Sequence, residues 1–116
     1  MKQREIKFRM WNKANKKMYF GFCDKIIDHL KEPKGSDILM QYTGLHDKRW
    51  REIWEGDILD FIGDERFAGT DEVVFQKGSF VIRNSQREMS LAAMNMSEWK
   101  VIGNIMENPE LLKNEI

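Results

Sequence analysis

The residues of this chain best suited to chemistry are a group of carboxylates between residues 55 and 65. The group consists of Glu55, Asp57, Asp60, Asp64 and Glu65. Two such carboxylates could act as general acid and base, or could bind Mg²⁺ through their oxygens. A glycine between two acids is, however, typical of a bend, and Asp side chains accept hydrogen bonds from nearby backbone amides. We therefore interpret Glu55-Gly56-Asp57 as a turn with positive φ at Gly56, and expect no catalytic residue here.

The two histidines and the single cysteine lack the neighbours that metal binding or nucleophilic catalysis requires. His29 and His46 lie 17 residues apart, and neither has a Cys, His or carboxylate at the spacing of a zinc site. Cys23 would need a histidine base close in space, and no known local signature surrounds it. No glycine-rich loop precedes a helix in a way that would bind phosphate. We expect no metal, no cofactor and no enzymatic activity.

The best candidates for a binding site are cations next to aromatic residues. Arg49, Trp50 and Arg51 lie together in a charged connection between two predicted strands. A tryptophan flanked by arginines could stack on a nucleic-acid base or anchor a partner protein. Lys7 and Arg9, in the basic amino-terminal strand, invite the same nucleic-acid interpretation. The alternative is that Trp50 folds back onto the protein and the arginines pair with the acidic stretch.

Charge is balanced over the whole chain but segregated along it. Nineteen basic and 19 acidic residues give a formal net charge of zero, which argues against a nucleic-acid-binding protein with a wholly basic surface. Residues 1–17 contain seven basic residues and one acidic residue, whereas residues 52–72 contain eight acidic residues and one basic residue. The two segments either form separate solvated surfaces, lie next to each other in the fold, or pair between subunits.

Composition predicts one soluble domain over residues 1–116. Hydrophobic residues make up 41% of the chain and include four Trp and seven Phe, which is enough for a core without disulfides or metal. No apolar run approaches the roughly 20 residues of a membrane helix, and the amino terminus lacks the apolar stretch of a secretory signal. A single cysteine suits a reducing compartment. We therefore expect a cytoplasmic protein with no membrane contact.

The elements that position these residues are short predicted strands separated by turns. Alternation at Ile6, Phe8 and Met10 predicts a strand that forms a hairpin with residues 18–22. Residues 38–43, 52–54, 58–62 and 99–105 predict further strands, and residues 72–82 predict a hairpin that turns at Gly78. This pattern favours an all-β, β-dominated fold in which a small barrel-like sheet carries short helical elements.

Three segments predict or allow helical structure. Residues 26–30 fit either a helical turn or another short strand. Residues 85–96 are ambiguous, because Met89, Ala92, Ala93 and Met96 have the spacing of a helix face. Residues 108–112 predict a carboxy-terminal helical turn, with Asn108 as its cap and Pro109 in its first position.

Three sequence blocks occur in an order and spacing that identify a family. They are IKFRMW at residues 6–11, MQYTGLHDK followed by EIWEGDIL at residues 40–59, and WKVIGNIMENPELL at residues 99–112. Together they resemble the YopX family of phage and prophage proteins. The resemblance implies a β-rich fold built around a barrel, in a protein carried by a bacteriophage or a prophage. It implies no activity, and no functional residues carry over from it.

The chain differs from the family at the turn after the Asp-Lys pair. Family members usually have Asn-Gly there, which is an ideal two-residue hairpin turn, whereas this chain has Arg49-Trp50. Neither residue adopts positive φ without cost, so we expect a different turn type or register. Trp54 and Met106 replace tyrosines that are usual in the other two blocks.

Three functional hypotheses remain open. We favour a non-enzymatic phage or prophage accessory protein of the bacterial host cytoplasm, which binds a protein partner or forms a homo-oligomer. The alternative is a nucleic-acid-binding module that uses Lys7, Arg9, Arg49, Trp50 and Arg51. A small hydrolase that uses the acidic loop is the least favoured hypothesis.

Overall fold

The computed structural model describes residues 1–112, apart from the side chain of Phe67. The strands in this part of the chain are β1 (Phe8–Asn12), β2 (Lys17–Phe20), β3 (Asp37–His46), β4 (Glu52–Trp54), β5 (Asp57–Phe61), β6 (Thr70–Gln76), β7 (Ser79–Arg83), β8 (Glu88–Ser90) and β9 (Trp99–Asn104). One α-helix, α1, spans Asp24–Lys31. Short 3-10 helices cover Glu65–Phe67, Leu91–Ala93, Met96–Glu98 and Pro109–Leu112.

The strands form two antiparallel sheets, and the predicted all-β fold is confirmed. The first sheet has the strand order β2-β1-β3-β4, and the second has the order β8-β7-β6-β5-β9. The connection between the sheets is the turn at Glu55 and Gly56, between β4 and β5. Because the two sheets are joined by this tight turn, the residues around it pack against both sheets.

The first sheet is strongly curved. Phe20 lies on β2 and Trp54 on β4, which are the two edge strands, yet their ring centroids are only 5.8 Å apart. In a flat four-stranded sheet the edge strands would be about 14 Å apart, since neighbouring strands are separated by about 4.8 Å. The concave face therefore brings side chains from all four strands together. The opposite face is covered by α1, which contacts β1 and β2 and buries Ile26.

The main hydrophobic core lies against the second sheet. Its buried members are Ile53, Leu59, Val73, Ile82, Leu91, Met94 and Trp99. Ile53 comes from β4 of the first sheet, so the two sheets share this core. Leu91 and Met94 come from the segment between β8 and β9, which covers one side of the second sheet.

Local structure differs from the sequence-based expectation in two segments. The first strand begins at Phe8, and Ile6 is exposed instead of half-buried. Residues 85–96 form no continuous helix, because side chains cap two separate 3-10 turns. Ser90 Oγ accepts a hydrogen bond from the Ala92 amide, and Asn95 Oδ1 accepts one from the Ser97 amide.

The ambiguous segment at residues 26–30 is helical, within α1. The carboxy-terminal helical turn is present as the 3-10 helix Pro109–Leu112. The side chain of Asn108 does not cap that helix, because its Oδ1 accepts a hydrogen bond from the Asn104 amide. The backbone carbonyl of Asn108 accepts the first bond of the helical turn, from the Leu111 amide.

Candidate binding surface

The turn at residues 47–51, here called the Trp50 tip, is organised by a buried aspartate. Asp47 is 3% exposed, and its Oδ1 accepts hydrogen bonds from the amides of Arg49 (2.8 Å) and Arg51 (2.9 Å). Its Oδ2 accepts a third bond, from the Val101 amide of β9 (2.8 Å). The carboxylate therefore both shapes the turn and fastens it to the edge of the second sheet.

Trp50 adopts a left-handed backbone conformation at the end of this turn. Its φ is +63°, and its amide donates to the Asp47 carbonyl over 3.1 Å. Arg49 is not among the residues with positive φ, so the turn is not the two-residue type in which both central residues have positive φ. The hydrogen bonds of Asp47 hold both ends of the turn, and this stabilisation offsets a strain that costs about 1–2 kcal/mol in a non-glycine residue.

The side chain of Trp50 is the exposed end of a row of aromatic rings. Trp50 lies 5.5 Å from His46, His46 lies 6.0 Å from Tyr42, and Tyr42 lies 5.5 Å from Trp54. Phe20 continues the row beyond Trp54. Tyr42 and Trp54 are buried, whereas Trp50 is 77% exposed. Trp50 therefore contacts the row through the tilted His46 ring and leaves most of its surface in solvent.

Two of the sequence-predicted cations, Lys7 and Arg9, lie on the concave face of the first sheet. The ammonium of Lys7 is 4.8 Å from the Tyr42 ring centroid and forms an ion pair with Glu52. The hydrogen bond that the Lys7 ammonium donates to the Glu52 carboxylate raises the pKa of Lys7. Arg9 is only 6% exposed, and its Nη2 is 2.8 Å from Asp57 Oδ1. Both cations are therefore paired with carboxylates, and Arg9 does not face the solvent.

The basic residues of the Trp50 tip are, by contrast, exposed. Of the ion pairs formed within residues 1–112, none includes Lys48, Arg49 or Arg51. Arg51 donates from Nη1 to the Val101 carbonyl over 3.3 Å. The structure thus brings Arg49, Trp50 and Arg51 together on one exposed turn. Lys7 joins the same row of rings through Tyr42.

The Glu55-Gly56-Asp57 segment is the turn expected from the sequence. Gly56 has φ +88°, and Asp57 Oδ2 accepts a hydrogen bond from the Trp54 amide over 2.8 Å. Burial raises the pKa of Asp57 to about 6, although the Arg9 cation and the Trp54 amide favour its ionised form. Both carboxylate oxygens of Asp57 are hydrogen-bonded within the protein, so their role in this arrangement is structural.

The remaining polar candidates are dispersed. His29 Nδ1 lies 3.8 Å from Asp37 Oδ2, while His46 contacts Tyr42 and Trp50. Throughout the described part of the chain, no three His, Cys, Asp or Glu residues are arranged to hold a metal ion. None of the helices described there has the length and apolar character needed to cross a membrane.

A cavity lined by Trp99, whose backbone carbonyl accepts a hydrogen bond from the Lys48 amide of the Trp50 tip, was not anticipated from the sequence. It has a volume of about 470 Å³, and its lining includes Phe61, Asp64, Arg87, Met89, Glu98 and Trp99. The Arg87 guanidinium lies 5.5 Å from the Trp99 ring centroid and forms an ion pair with the fully buried Asp71 over 2.6 Å. The lining residues come from three segments, at residues 61–64, 87–89 and 93–99, so no local pattern could reveal the cavity. The Asp47 turn did have a local signal, since Asp often accepts bonds from amides two residues on.

The fold and this surface define a small all-β protein that presents a rigid, cation-flanked tryptophan. The chain belongs to the YopX family, because the family model described as YopX protein matches residues 21–113. No curated protein matches the sequence.

Two solved structures share the fold. Protein EF1440 from Enterococcus faecalis is 24% identical, with a TM-score of 0.70, and the match covers 95% of this chain and 99% of that chain. Protein yopX from Bacillus subtilis is 18% identical, with a TM-score of 0.63, and the match covers 91% of this chain and 97% of that chain. At these identities the similarity establishes the fold alone.

Proposed function

We propose that this protein is a non-enzymatic binding module that attaches to a partner protein through the Trp50 tip. The proposal rests on one observation, which is that Trp50 is exposed and contributes little to the packing of the fold. The backbone there has positive φ, which glycine adopts without strain. The side chain of Trp50 buries little of its surface in the fold.

The Trp50 tip has the composition and rigidity of an interface hot spot. Trp and Arg are enriched among the residues that dominate binding energy at protein interfaces. The Asp47 carboxylate fixes the backbone of the turn, and the His46 ring contacts the indole at a centroid distance of 5.5 Å. Since the tip is ordered before binding, association costs less conformational entropy than it would with a flexible loop.

We further propose that the protein acts as a phage or prophage accessory protein in the cytoplasm of the bacterial host. The support for this role is the resemblance of its sequence blocks to YopX proteins of phages and prophages. The single cysteine suits the reducing cytoplasm.

Binding of single-stranded nucleic acid is the second candidate function. It is favoured by Lys48, Arg49 and Arg51, which flank an exposed ring without forming ion pairs within residues 1–112. Lys7 and Arg9 contribute less than the sequence indicated, because Glu52 and Asp57 already neutralise them. A phosphate-binding role predicts affinity that falls steeply with salt concentration.

The test is affinity capture from a bacterial host lysate to which untagged copies of this chain are added, performed with and without nuclease. The tagged wild-type protein is compared with Trp50→Gly and with Phe75→Ser, which removes an exposed aromatic residue from β6. We expect specific proteins retained by the wild type and by Phe75→Ser, but lost with Trp50→Gly. Retention by all three variants would contradict the proposal. Recovery that disappears with nuclease would support the nucleic-acid alternative.

A further inference from the structure

We propose that the protein forms a two-fold dimer in which the Trp50 tip of each copy enters the cavity next to Trp99 of the other. This inference rests on the proposed function and specifies its partner as a second copy of this chain. It assigns a role to two features that the fold leaves unpartnered, namely an exposed cationic tip and an open cavity with a carboxylate in its wall.

The cavity has the size and lining to receive an indole ring. Its volume of about 470 Å³ lies within the range of about 300–1,000 Å³ that is typical of ligand sites. Phe61 and Trp99 form one aromatic wall, with ring centroids 5.0 Å apart, and Met89 lines another part of the cavity. Within its own chain Trp50 rests against His46 and not in this cavity. The cavity is therefore open to the tryptophan of another copy.

The charges of the two surfaces are complementary. In the cavity wall, Asp71 neutralises Arg87, and Arg66 neutralises Asp64. Glu98 is half-buried, and it takes part in none of the ion pairs found in residues 1–112. Its charge makes the cavity net acidic, whereas the Trp50 tip is net basic. Arg49 next to the inserted indole is therefore the natural partner of Glu98 across the interface.

The positions of the tip and the cavity favour a closed dimer over an open chain of copies. The Lys48 amide donates to the Trp99 carbonyl over 3.0 Å, while the ring of the same Trp99 lines the cavity. The two surfaces are thus neighbours around a single residue of β9. A two-fold axis can then let each copy insert its own tip and receive the tip of its partner, which forms the contact twice.

The test measures the mass of the full chain by sedimentation velocity, over protein concentrations from about 1 μM to about 1 mM. We expect a concentration-dependent species of twice the 13.8 kDa of one chain. Trp50→Gly should weaken dimerisation at least tenfold, and Phe75→Ser should leave it unchanged. A wild-type chain that stays monomeric at every concentration, or a dimer that tolerates Trp50→Gly, would overturn the inference.

Charge reversal distinguishes a dimer lost through charge repulsion from a dimer lost through misfolding. Arg49→Glu alone and Glu98→Arg alone should each lose the dimer, since both contacts become repulsive. An equimolar mixture of the two variants should restore it, because both contacts then pair opposite charges. Failure of the mixture, with both variants folded by circular dichroism, would overturn the inference. A monomeric wild type that still captures a lysate protein through Trp50 would refute the dimer but leave the proposed function standing.

Discussion

Two turns of this protein have the same hydrogen-bonding arrangement but differ in the residue that adopts positive φ. The turn at residues 55–57 and the Trp50 tip each contain a buried aspartate that accepts backbone amide hydrogen bonds, and each has one residue with positive φ. In the first turn that residue is Gly56, and a β-carbon there would lie 2.9 Å from Met40 Sδ. In the second turn it is Trp50, which projects into solvent.

The two turns differ in what packing requires of the residue with positive φ. The turn at residues 55–57 connects the two sheets, and its positive φ favours glycine, while an added β-carbon would also displace the ends of the Met40 and Met106 side chains. The Trp50 tip lies outside the sheets and makes no such demand. The proposed contact with another molecule would account for a large apolar side chain at this strained, exposed position.

The largest expected loss of stability comes from replacing Asp47, whose hydrogen bonds hold the Trp50 tip. Replacement by alanine leaves the amides of Arg49, Arg51 and Val101 without their acceptor. We expect Asp47→Ala to lower the free energy of unfolding by about 3 kcal/mol, because each unsatisfied, partly buried donor costs about 1 kcal/mol or more. Urea denaturation measures this loss. The control is Asp60→Ala on β5, and an equal loss in both variants would argue against the anchoring role of Asp47.

The next prediction concerns the loss of stability when glycine is replaced at the turn between the sheets. Gly56 and Gly44 have nearly the same φ, +88° and +87°, but only Gly56 has atoms close to the position of an added β-carbon. Gly44→Ala should cost about 1 kcal/mol for the backbone conformation alone. Gly56→Ala should cost about 2–3 kcal/mol, since Met40 and Met106 must also move. Equal losses in the two variants, measured by thermal unfolding, would show that packing contributes nothing at Gly56.

A smaller effect concerns the pH dependence of stability. Asp57 has a pKa of about 6 in the fold, against an ordinary value of 3.8. Because the raised pKa favours the protonated form in the folded state, its contribution to stability is fully present below 3.8 and is lost as the pH rises through 6. We expect the free energy of unfolding to rise by about 1 kcal/mol between pH 7 and pH 5 from this group.

Removal of the Arg9 cation isolates the contribution of Asp57 to this pH dependence. Arg9 lowers the pKa of Asp57, so Arg9→Met should raise that pKa further and steepen the dependence. The control is Lys7→Met, whose partner Glu52 is more exposed and lies outside the turn. The assignment to Asp57 would be refuted if Arg9→Met showed the same dependence as the wild type in denaturation at pH 5, 6 and 7.

Local patterns in the sequence predicted much of the framework. The hairpin at residues 72–82 and the turn at Gly56 are present because alternation, glycine and short polar side chains act over only a few residues. The segment between Met89 and Met96 was left ambiguous, and it forms two 3-10 turns because the capping side chains Ser90 and Asn95 lie within it.

Features that depend on distant residues were beyond sequence reasoning. Arg9 was a candidate nucleic-acid contact, but it is paired with Asp57, which lies 48 residues away along the chain. Curvature of the first sheet brings these two residues together, and no single strand encodes that curvature. The segregated charges of the chain left three outcomes open, and the pairs Lys7–Glu52 and Arg9–Asp57 show that the two segments lie next to each other.

The smallest expected effect on stability is the most informative about function. Trp50→Gly relieves the strain of positive φ, worth about 1 kcal/mol, but it frees the unfolded chain and loses the contact with His46 by similar amounts. We expect the free energy of unfolding to change by less than about 1 kcal/mol. The buried Trp54→Ala should cost about 3 kcal/mol or more. If Trp50→Gly were as destabilising as Trp54→Ala, Trp50 would be a structural residue and the contrast between the two turns would fail.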